Sequence, residues 1–448
     1  MVAPGNTAVD GDGRGLVDRD ESGYPHRGYA WCVVAILVAT AILSYTDRQV
    51  LSLLVDPIER DFGIGDRDFA KLSGPAFALV YGIAGIALGY LADRASRRLL
   101  IFAGVLVWSL GTIACGFAHG FGELFAARVV VGFGEAVLSP AAISVISDYF
   151  PPSRRGTAVG CFLSGIAIGI GASNMIGGGV LHAVEAGVLA ATPLASLAPW
   201  RLVLLAIGAP GLVWALVILL IREPTRRVQP GQPATGAAGA RHAIRWGAVA
   251  PVYLVVAMAS LVDNAVGAWA PSLLIRSFSQ NAADVGVRLG VLVAAAFGGG
   301  VLAGGWLADR AGARGGWAHK LFVCGGASVL IVPAALLMNS GQLNATTWSI
   351  PLYFALSGIV TACGFSAILD VVPNRSRGLA MAVSFFLNVA VGASVGPLAV
   401  SWASDDLFGR AAGLGPAMAT TVAGGYGIAI VALFLAFRTV RSRVTASQ

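Results

Sequence analysis

Charged side chains leave this sequence for about twenty residues at a time, again and again, and this restricts the fold more than any other feature. A stretch of roughly 20 residues without Asp, Glu, Lys or Arg is what an α-helix needs to cross the hydrocarbon of a bilayer. Tyr29 to Thr46, Leu72 to Ala92, Leu99 to Ala118, Gly156 to Leu181 and Leu202 to Ile221 carry no such charge. Leu124 to Ser147 is interrupted only by Arg128 and Glu135. Then come Trp246 to Ile275, broken once at Asp263, Leu289 to Ala308, Leu321 to Leu369, Gly378 to Ala403 and Ala411 to Phe437. The run from Leu321 is too long for one crossing, and Asn339-Ser-Gly-Gln-Leu-Asn344 is a polar turn signal in its middle. The pattern predicts an all-α membrane protein of twelve transmembrane helices, numbered here as spans 1 to 12.

Only 12% of the residues are charged and 56% are hydrophobic, which excludes an ordinary soluble chain. The net charge of +7 does not indicate a nucleic-acid partner, because the basic residues lie between apolar blocks and not on one face of a polar domain. It follows topology instead. With both termini cytoplasmic, 21 Lys and Arg fall in tails and cytoplasmic loops, 7 in outer loops and 2 within spans. The expected location is a bacterial-type inner, or plasma, membrane, crossed many times.

The expected organisation is a disordered cytoplasmic tail over 1–27, a six-helix bundle over 28–222, a cytoplasmic linker over 223–245, a second six-helix bundle over 246–438 and a cytoplasmic tail over 439–448. The first of these lacks the apolar core and cleavage site of a signal peptide. The linker is too short to fold as a domain. Cys32, Cys115, Cys161, Cys324 and Cys363 lie in apolar blocks without CxxC spacing, so neither disulfides nor a metal site are expected, and no cofactor.

The chain also repeats itself. Gly89-Tyr-Leu-Ala-Asp93-Arg94-Ala-Ser-Arg97-Arg98 after span 2 recurs as Gly305-Trp-Leu-Ala-Asp309-Arg310-Ala-Gly-Ala-Arg314 after span 8, 216 residues later. Asp148-Tyr-Phe-Pro151 with Arg155-Gly156 recurs as Asp370-Val-Val-Pro373 with Arg377-Gly378, 222 residues later. The acids Asp47 and Asp263, inside spans 1 and 7, are again 216 apart. Matches of this length at half the chain define six helices plus six.

Both motif pairs resemble those of the major facilitator superfamily, over essentially the whole chain. The resemblance implies two bundles related by a pseudo-two-fold axis, and a gating latch that stabilises the outward-open state. Its residues are Gly89, Asp93, Arg94, Arg97 and Arg98 in one copy, Gly305, Asp309, Arg310 and Arg314 in the other, with Asp148, Arg155, Asp370 and Arg377 beside them. Physically, the glycines permit close helix approach, the aspartates can accept bonds from a facing helix N-terminus, and the arginines can hold phosphates or carboxylates. The plain alternative is a basic inner loop with a helix-capping Asp. Two departures stand out. Ser96 replaces the pattern's glycine in the first copy, where the second keeps Gly312. Span 5 has Ser173-Asn174 where the superfamily's antiporter motif has Gly-Pro, so an antiport label cannot rest on it.

Tyr45-Thr-Asp47-Arg48 with the residues to Ile58, and Arg128 to Pro140 with Glu135 between, resemble the spinster-like branch more narrowly. That resemblance implies proton-linked movement of lysophospholipids and sphingoid phosphates. A charge at the bilayer centre costs on the order of 3 kcal/mol or more unless paired or wet. Asp47, Arg48, Arg128, Glu135 and Asp263 are therefore the candidates for chemistry. At ~1.5 Å per residue, Asp47, Arg48 and Arg128 share a depth of roughly 10 Å below the outer surface, so Asp47 can face Arg128. Glu135 lies two turns beyond Arg128 on the same face. Adjacent Asp47 and Arg48 differ by about 100° around their helix, so one is expected to face a partner and the other the cavity. Carboxylates moved between an apolar cavity and a nearby arginine suit proton coupling, a role expected of Asp47, Glu135 and Asp263, with Arg48 and Arg128 as substrate or ion-pair residues. The alternative is a static ion-pair network that fixes helix packing.

Phe365, Phe385 and Phe386 in the second half, against charges in the first, suit an amphipathic solute, although ordinary packing explains them too. The expected partners are a small-molecule or lysolipid substrate, protons and membrane lipids, with the carrier a monomer. A proton-coupled organic-anion or multidrug carrier is the alternative within transporters, and a sensor or scaffold on the same fold the alternative outside them. An enzyme is not expected, because no histidine has a ligand at helical spacing and no Ser-centred elbow is present.

Overall fold

The computed structural model describes residues 24–92, 94–188, 192–224, 246–372, 383–384, 386–409 and 413–444. The first half holds α1 (Arg27–Val50), α2 (Val55–Phe62), α3 (Asp66–Ser73), α4 (Pro75–Ala92), α5 (Arg97–Phe117), α6 (Phe121–Glu135), α7 (Leu138–Tyr149), α8 (Pro152–Glu185) and α9 (Pro199–Ile218). The second holds α10 (Trp246–Phe278), α11 (Ala282–Met338), α12 (Leu343–Val371), α13 (Ser394–Trp402) and α14 (Leu414–Val444). Among the described residues, 11 stretches are long and apolar enough to cross a membrane. The expected span 11 begins outside the described residues; from 386 to 408 it is helical, with π-helical turns at Asn388–Ala393 and Ala403–Phe408 on either side of α13. The last helix runs to Val444, past the expected boundary of the bundle. Most of the expected N-terminal tail and linker lies outside the described residues.

Four expected spans differ in detail, each for a local reason. Span 4 is α6 and α7, broken immediately after Glu135. Pro140 has no N–H to give the carbonyl of Ala136, so the ladder opens there. Span 2 is α3 and α4, interrupted at Gly74 before Pro75. Spans 8 and 9 form one 57-residue helix, α11, with Gly316 bent to a φ of 66°. The first copy of the repeat breaks because the Ser96 hydroxyl caps the amide of Leu99 and starts α5 afresh. Gly312 has no such hydroxyl, and the chain turns later, at Gly316.

We call the end where α1 begins the inner end, after the charge expectation. Contacts between the halves include a seam of α8 against α11 toward the outer end. There a Cβ on Gly178 would stand 2.5 Å from the carbonyl of Ala283, so only glycine allows the crossing. At Gly74 the backbone of α3 meets the carbonyls of Ala393 and Ser394, which a Cβ would approach to 3.0 and 2.9 Å. The two latch glycines depart from the expected close approach. Among the described residues nothing lies within 4 Å of a Cβ built on Gly305, and a Cβ on Gly89 would make only ordinary contact, at 3.9 Å, with Pro140 of its own half.

Candidate functional site

The structure brings the four charges of spans 1 and 4 into one buried network. Arg128 Nη1 lies 3.7 Å from Asp47 Oδ1, the facing predicted from depth. The Thr112 hydroxyl of α5 donates to the other Asp47 oxygen. Arg48 does not point into an open cavity: its Nη2 donates to Glu135 Oε2 at 2.7 Å, and the Ser44 hydroxyl donates to the same oxygen at 2.8 Å. Both neighbours on α1 therefore have acidic or basic partners on span 4, because Arg48 is long enough to reach back where its direction alone would not.

The guanidinium of Arg48 is also boxed by aromatic faces, with ring centroids of Tyr45, Phe77 and Tyr81 at 4.4, 4.4 and 4.8 Å. Such stacking compensates a desolvated cation by about 2 kcal/mol per good contact. The aromatic box was not foreseen from sequence, although Tyr45 stands one turn from Arg48. The network is only partly satisfied. Among the described residues, Glu135 Oε1, Arg128 Nε and Arg128 Nη2 are buried without a hydrogen-bond partner. An unsatisfied buried valence costs roughly 1–3 kcal/mol, more when charged.

Asp263 belongs to a separate site in the second half. Its Oδ1 accepts from the Tyr353 hydroxyl at 2.6 Å and from Ser357 at 2.5 Å, both on α12, and Tyr426 of α14 donates to Ser357 at 3.2 Å. A turn away, Asn264 Nδ2 donates to the carbonyl of Ser260 at 2.8 Å, and Ser260 Oγ to that of Asn388 in the π-helical turn at 3.0 Å. These hydroxyls carry no sequence motif, which is why they were not legible.

At the inner end Arg97 is buried and donates to Asp148, to Glu223 Oε1 at 2.9 Å, to Ser144 Oγ at 3.0 Å and to the carbonyl of Pro224 at 2.9 Å. The amide of Arg98 and the hydroxyl of Ser96 bond Glu223 Oε2 at 2.9 and 2.8 Å. Burial pushes the Glu223 carboxyl up, but the Arg98 amide, Arg97 and Ser96 outweigh it and hold it below its ordinary value. In the second copy Lys320, not Arg314, makes the corresponding pair: its Nζ lies 2.6 Å from Asp370 and donates to Ser366 at 2.9 Å, while Arg314 is exposed. The reason is the turn at Gly316, later than in the first copy, which brings position 320 and not 314 against α12. Arg94 and Arg310 stack on Tyr90 and Trp306, with centroids at 3.5 and 5.3 Å. Asp309 is exposed and Arg155 half-buried. Asp93, Arg377 and Phe385 lie outside the described residues. Phe365 is half-buried within the second half, and Phe386 sits across the seam from Gly82.

An outer cluster had no counterpart in the sequence reading. Arg276 at the end of α10 crosses to the first half and meets Asp56 at 2.6 Å, Asp66 at 2.8 Å and Glu59 at 3.1 Å. Arg67 of α3 pairs with Asp406, and with Asp405 at 3.4 Å. Both link the halves. Their charges had been read as loop residues, and no spacing connects partners some 220 to 340 residues apart.

The model of the Major Facilitator Superfamily matches residues 37–397. An MFS-type efflux pump of Mycolicibacterium smegmatis is 28% identical over 401 residues, covering 87% of this chain and 88% of that protein. Protein spinster of Drosophila melanogaster is 27% identical over 391 residues, 84% of this chain and 62% of the fly protein. The crystal structure of a bacterial homologue of the human lysosomal transporter Spinster, inward-facing and unoccupied, superposes with a TM-score of 0.83 at 25% identity, over 92% of this chain and 98% of that one.

Proposed function

The chain belongs to the Major Facilitator Superfamily, a family of multi-pass membrane transporters and not of enzymes, and from that premise we propose that it is a proton-coupled secondary carrier working by alternating access. Its cargo is an amphipathic solute such as a lysophospholipid or sphingoid phosphate. It works as a monomer with twelve helices, both termini cytoplasmic, in a bacterial-type inner membrane, and the bundles over 28–222 and 246–438 are its two moving bodies, joined by the linker over 223–245.

One observation carries the reading: Glu135 is buried at the break between α6 and α7 with one carboxylate oxygen taken by Arg48 and Ser44 and the other without a partner. A static brace gains from satisfying both oxygens. A carboxylate that exchanges a proton for an arginine needs one left open, next to a backbone joint that can move. Asp47, between Arg128 and Thr112, and Asp263 are the further proton sites. Arg48 and Arg128 are the groups that take the anionic head of the cargo, Arg128 with two open N–H donors.

The contacts of Arg276 and Arg67 between halves act as the outer gate, closed here. The Arg97 and Lys320 clusters, with Gly89, Asp93, Arg94, Arg98, Asp148, Arg155, Gly305, Asp309, Arg310, Arg314, Asp370 and Arg377, make up the inner gate. The kinship with an efflux pump favours one alternative cargo, a drug-like solute moved by the same cycle. In proteoliposomes, a pH gradient is expected to change uptake of a lysophospholipid, and Glu135→Gln to abolish that dependence in a folded protein. Uptake indifferent to both the gradient and the substitution rejects the proton mechanism; movement of cationic dyes with no movement of lysolipids rejects the cargo.

A further inference from the structure

The charges of the first half cancel, Asp47 against Arg128 and Glu135 against Arg48. Asp263 makes no ion pair among the described residues. All its hydrogen bonds fall on Oδ1, from Tyr353 and Ser357, which leaves Oδ2 open. The next residue repeats the pattern, since Asn264 uses its Nδ2 on Ser260 and leaves Oδ1 as an open acceptor. Asp263 and Asn264 are partly exposed although Val262 and Ala265 beside them are buried, so these two side chains are not fully enclosed by packed protein.

The groups facing this stretch of α10 are all uncharged: Tyr353 and Ser357 from α12, Tyr426 from α14, the Asn388 carbonyl from the π-helical turn and, one turn outward, the Gln49 amide of α1 beside Gly267. Asp47 and Arg48 on α1 are engaged within the first half. Next to the Gln49 and Gly267 crossing, a small cavity of about 10 Å³, room for about one water-sized group, lies between the halves along Phe354, Ala270 and Pro271. A lone carboxylate at this depth needs a positive partner or a proton. The described residues supply no cation there.

We infer that Asp263, with Asn264, seats a primary ammonium group of the cargo, which displaces a proton from the carboxyl as it binds. Two open oxygen acceptors suit the N–H donors of an ammonium; a divalent metal ion takes six or more oxygens. The exchange balances: the solute brings one positive charge and one proton leaves. The inference rests on the carrier reading and selects, among the amphiphiles it allows, those with a primary amine, as in a sphingoid phosphate, over those without one, as in lysophosphatidate, with the anionic end on Arg128 and Arg48 and the ammonium across the pseudo-two-fold axis.

The test compares wild type, Asp263→Asn and Asp263→Glu in lipid nanodiscs. The probes are two matched pairs, lysophosphatidylethanolamine with lysophosphatidate of the same chain, and phenethylamine with 3-phenylpropionate. Tryptophan fluorescence reads binding, and a pH indicator in weak buffer reads proton release. Asp263→Asn is expected to weaken the ammonium-bearing member of a pair at least tenfold and leave its anionic counterpart unchanged, with Asp263→Glu retaining ammonium binding. Wild type is expected to release protons with the ammonium probe alone, a readout that needs no variant to fold. Ammonium probes bound equally by wild type and Asp263→Asn, bound by neither, or bound by wild type without proton release overturn the inference. Asp263-dependent phenethylamine binding without any lysolipid binding upholds it and rejects the amphipathic cargo instead.

Discussion

Arg48 Nη2 and Glu135 Oε2 lie 2.7 Å apart, and this bond ties the last turn of α1 to the residue at which span 4 breaks. Removing one partner of a buried pair strands the other charge, at a cost of about 3–5 kcal/mol, whereas replacing both with apolar groups of similar volume is far milder. Glu135→Leu and Arg48→Met are each expected to lower the melting temperature of the purified protein sharply. The double variant is expected to recover much of that loss, with a coupling of at least ~1 kcal/mol. Additive losses would mean that the bond does not hold these helices together.

Arg276 holds three carboxylates of the opposite half. Arg276→Ala is expected to weaken closure of the outer end by about 3 kcal/mol, more than a hundredfold in population. Spin labels at Arg60 and Ser277, both exposed at this end, check it: the variant gains a longer inter-label distance that wild type lacks. Identical distance distributions would remove Arg276 from the gate.

Glu223 makes stability depend on pH at the inner end. Its carboxyl sits below its ordinary value in the folded protein. The stabilisation is therefore fully present above the unfolded value, about 4.3, and is lost as pH falls through the lower folded value. Melting temperatures taken from neutral pH down into the acid range are expected to fall less steeply in Glu223→Gln than in wild type. At neutral pH the variant starts lower. A parallel decline in both proteins would show that Glu223 contributes nothing to the acid limb.

In the second copy of the repeat the structure assigns the inner pair to Lys320 and Asp370. Lys320→Met is expected to cost about 1 kcal/mol, because it removes the pair with Asp370 and the bond to Ser366 from a buried side chain, while Arg314→Ala stays within about 0.5 kcal/mol of wild type. Chemical unfolding of both variants decides between them. Equal effects would return the role to the residue the repeat nominated.

The opposing charges of spans 1 and 4 were readable in advance because depth in a helix is arithmetic. Each residue adds the same rise, so Asp47 and Arg128 had to arrive at one level. The reach of Arg48 was not readable in that way. Its side chain is long and its direction is chosen by the aromatic faces of Tyr45, Phe77 and Tyr81, two of them on another helix. The repeat carries over position in the chain but not helix breaks, so the Ser96-to-Gly312 difference moves the turn to Gly316 and leaves Arg314 exposed.

What the sequence determined by itself is the solvent and the plan. Charge-free runs of membrane length leave no alternative to helices in a bilayer, and motifs repeated at half the chain length impose two related bundles. What only the tertiary structure decided is which charges neutralise which. Asp263 looked like the twin of Asp47, at the same place in its half, yet one faces an arginine and the other two hydroxyls from a helix roughly 90 residues away. Spacing along a helix is local and survives in the letters. Pairing across helices depends on how bundles rotate and pack, and that is settled only when the chain is folded.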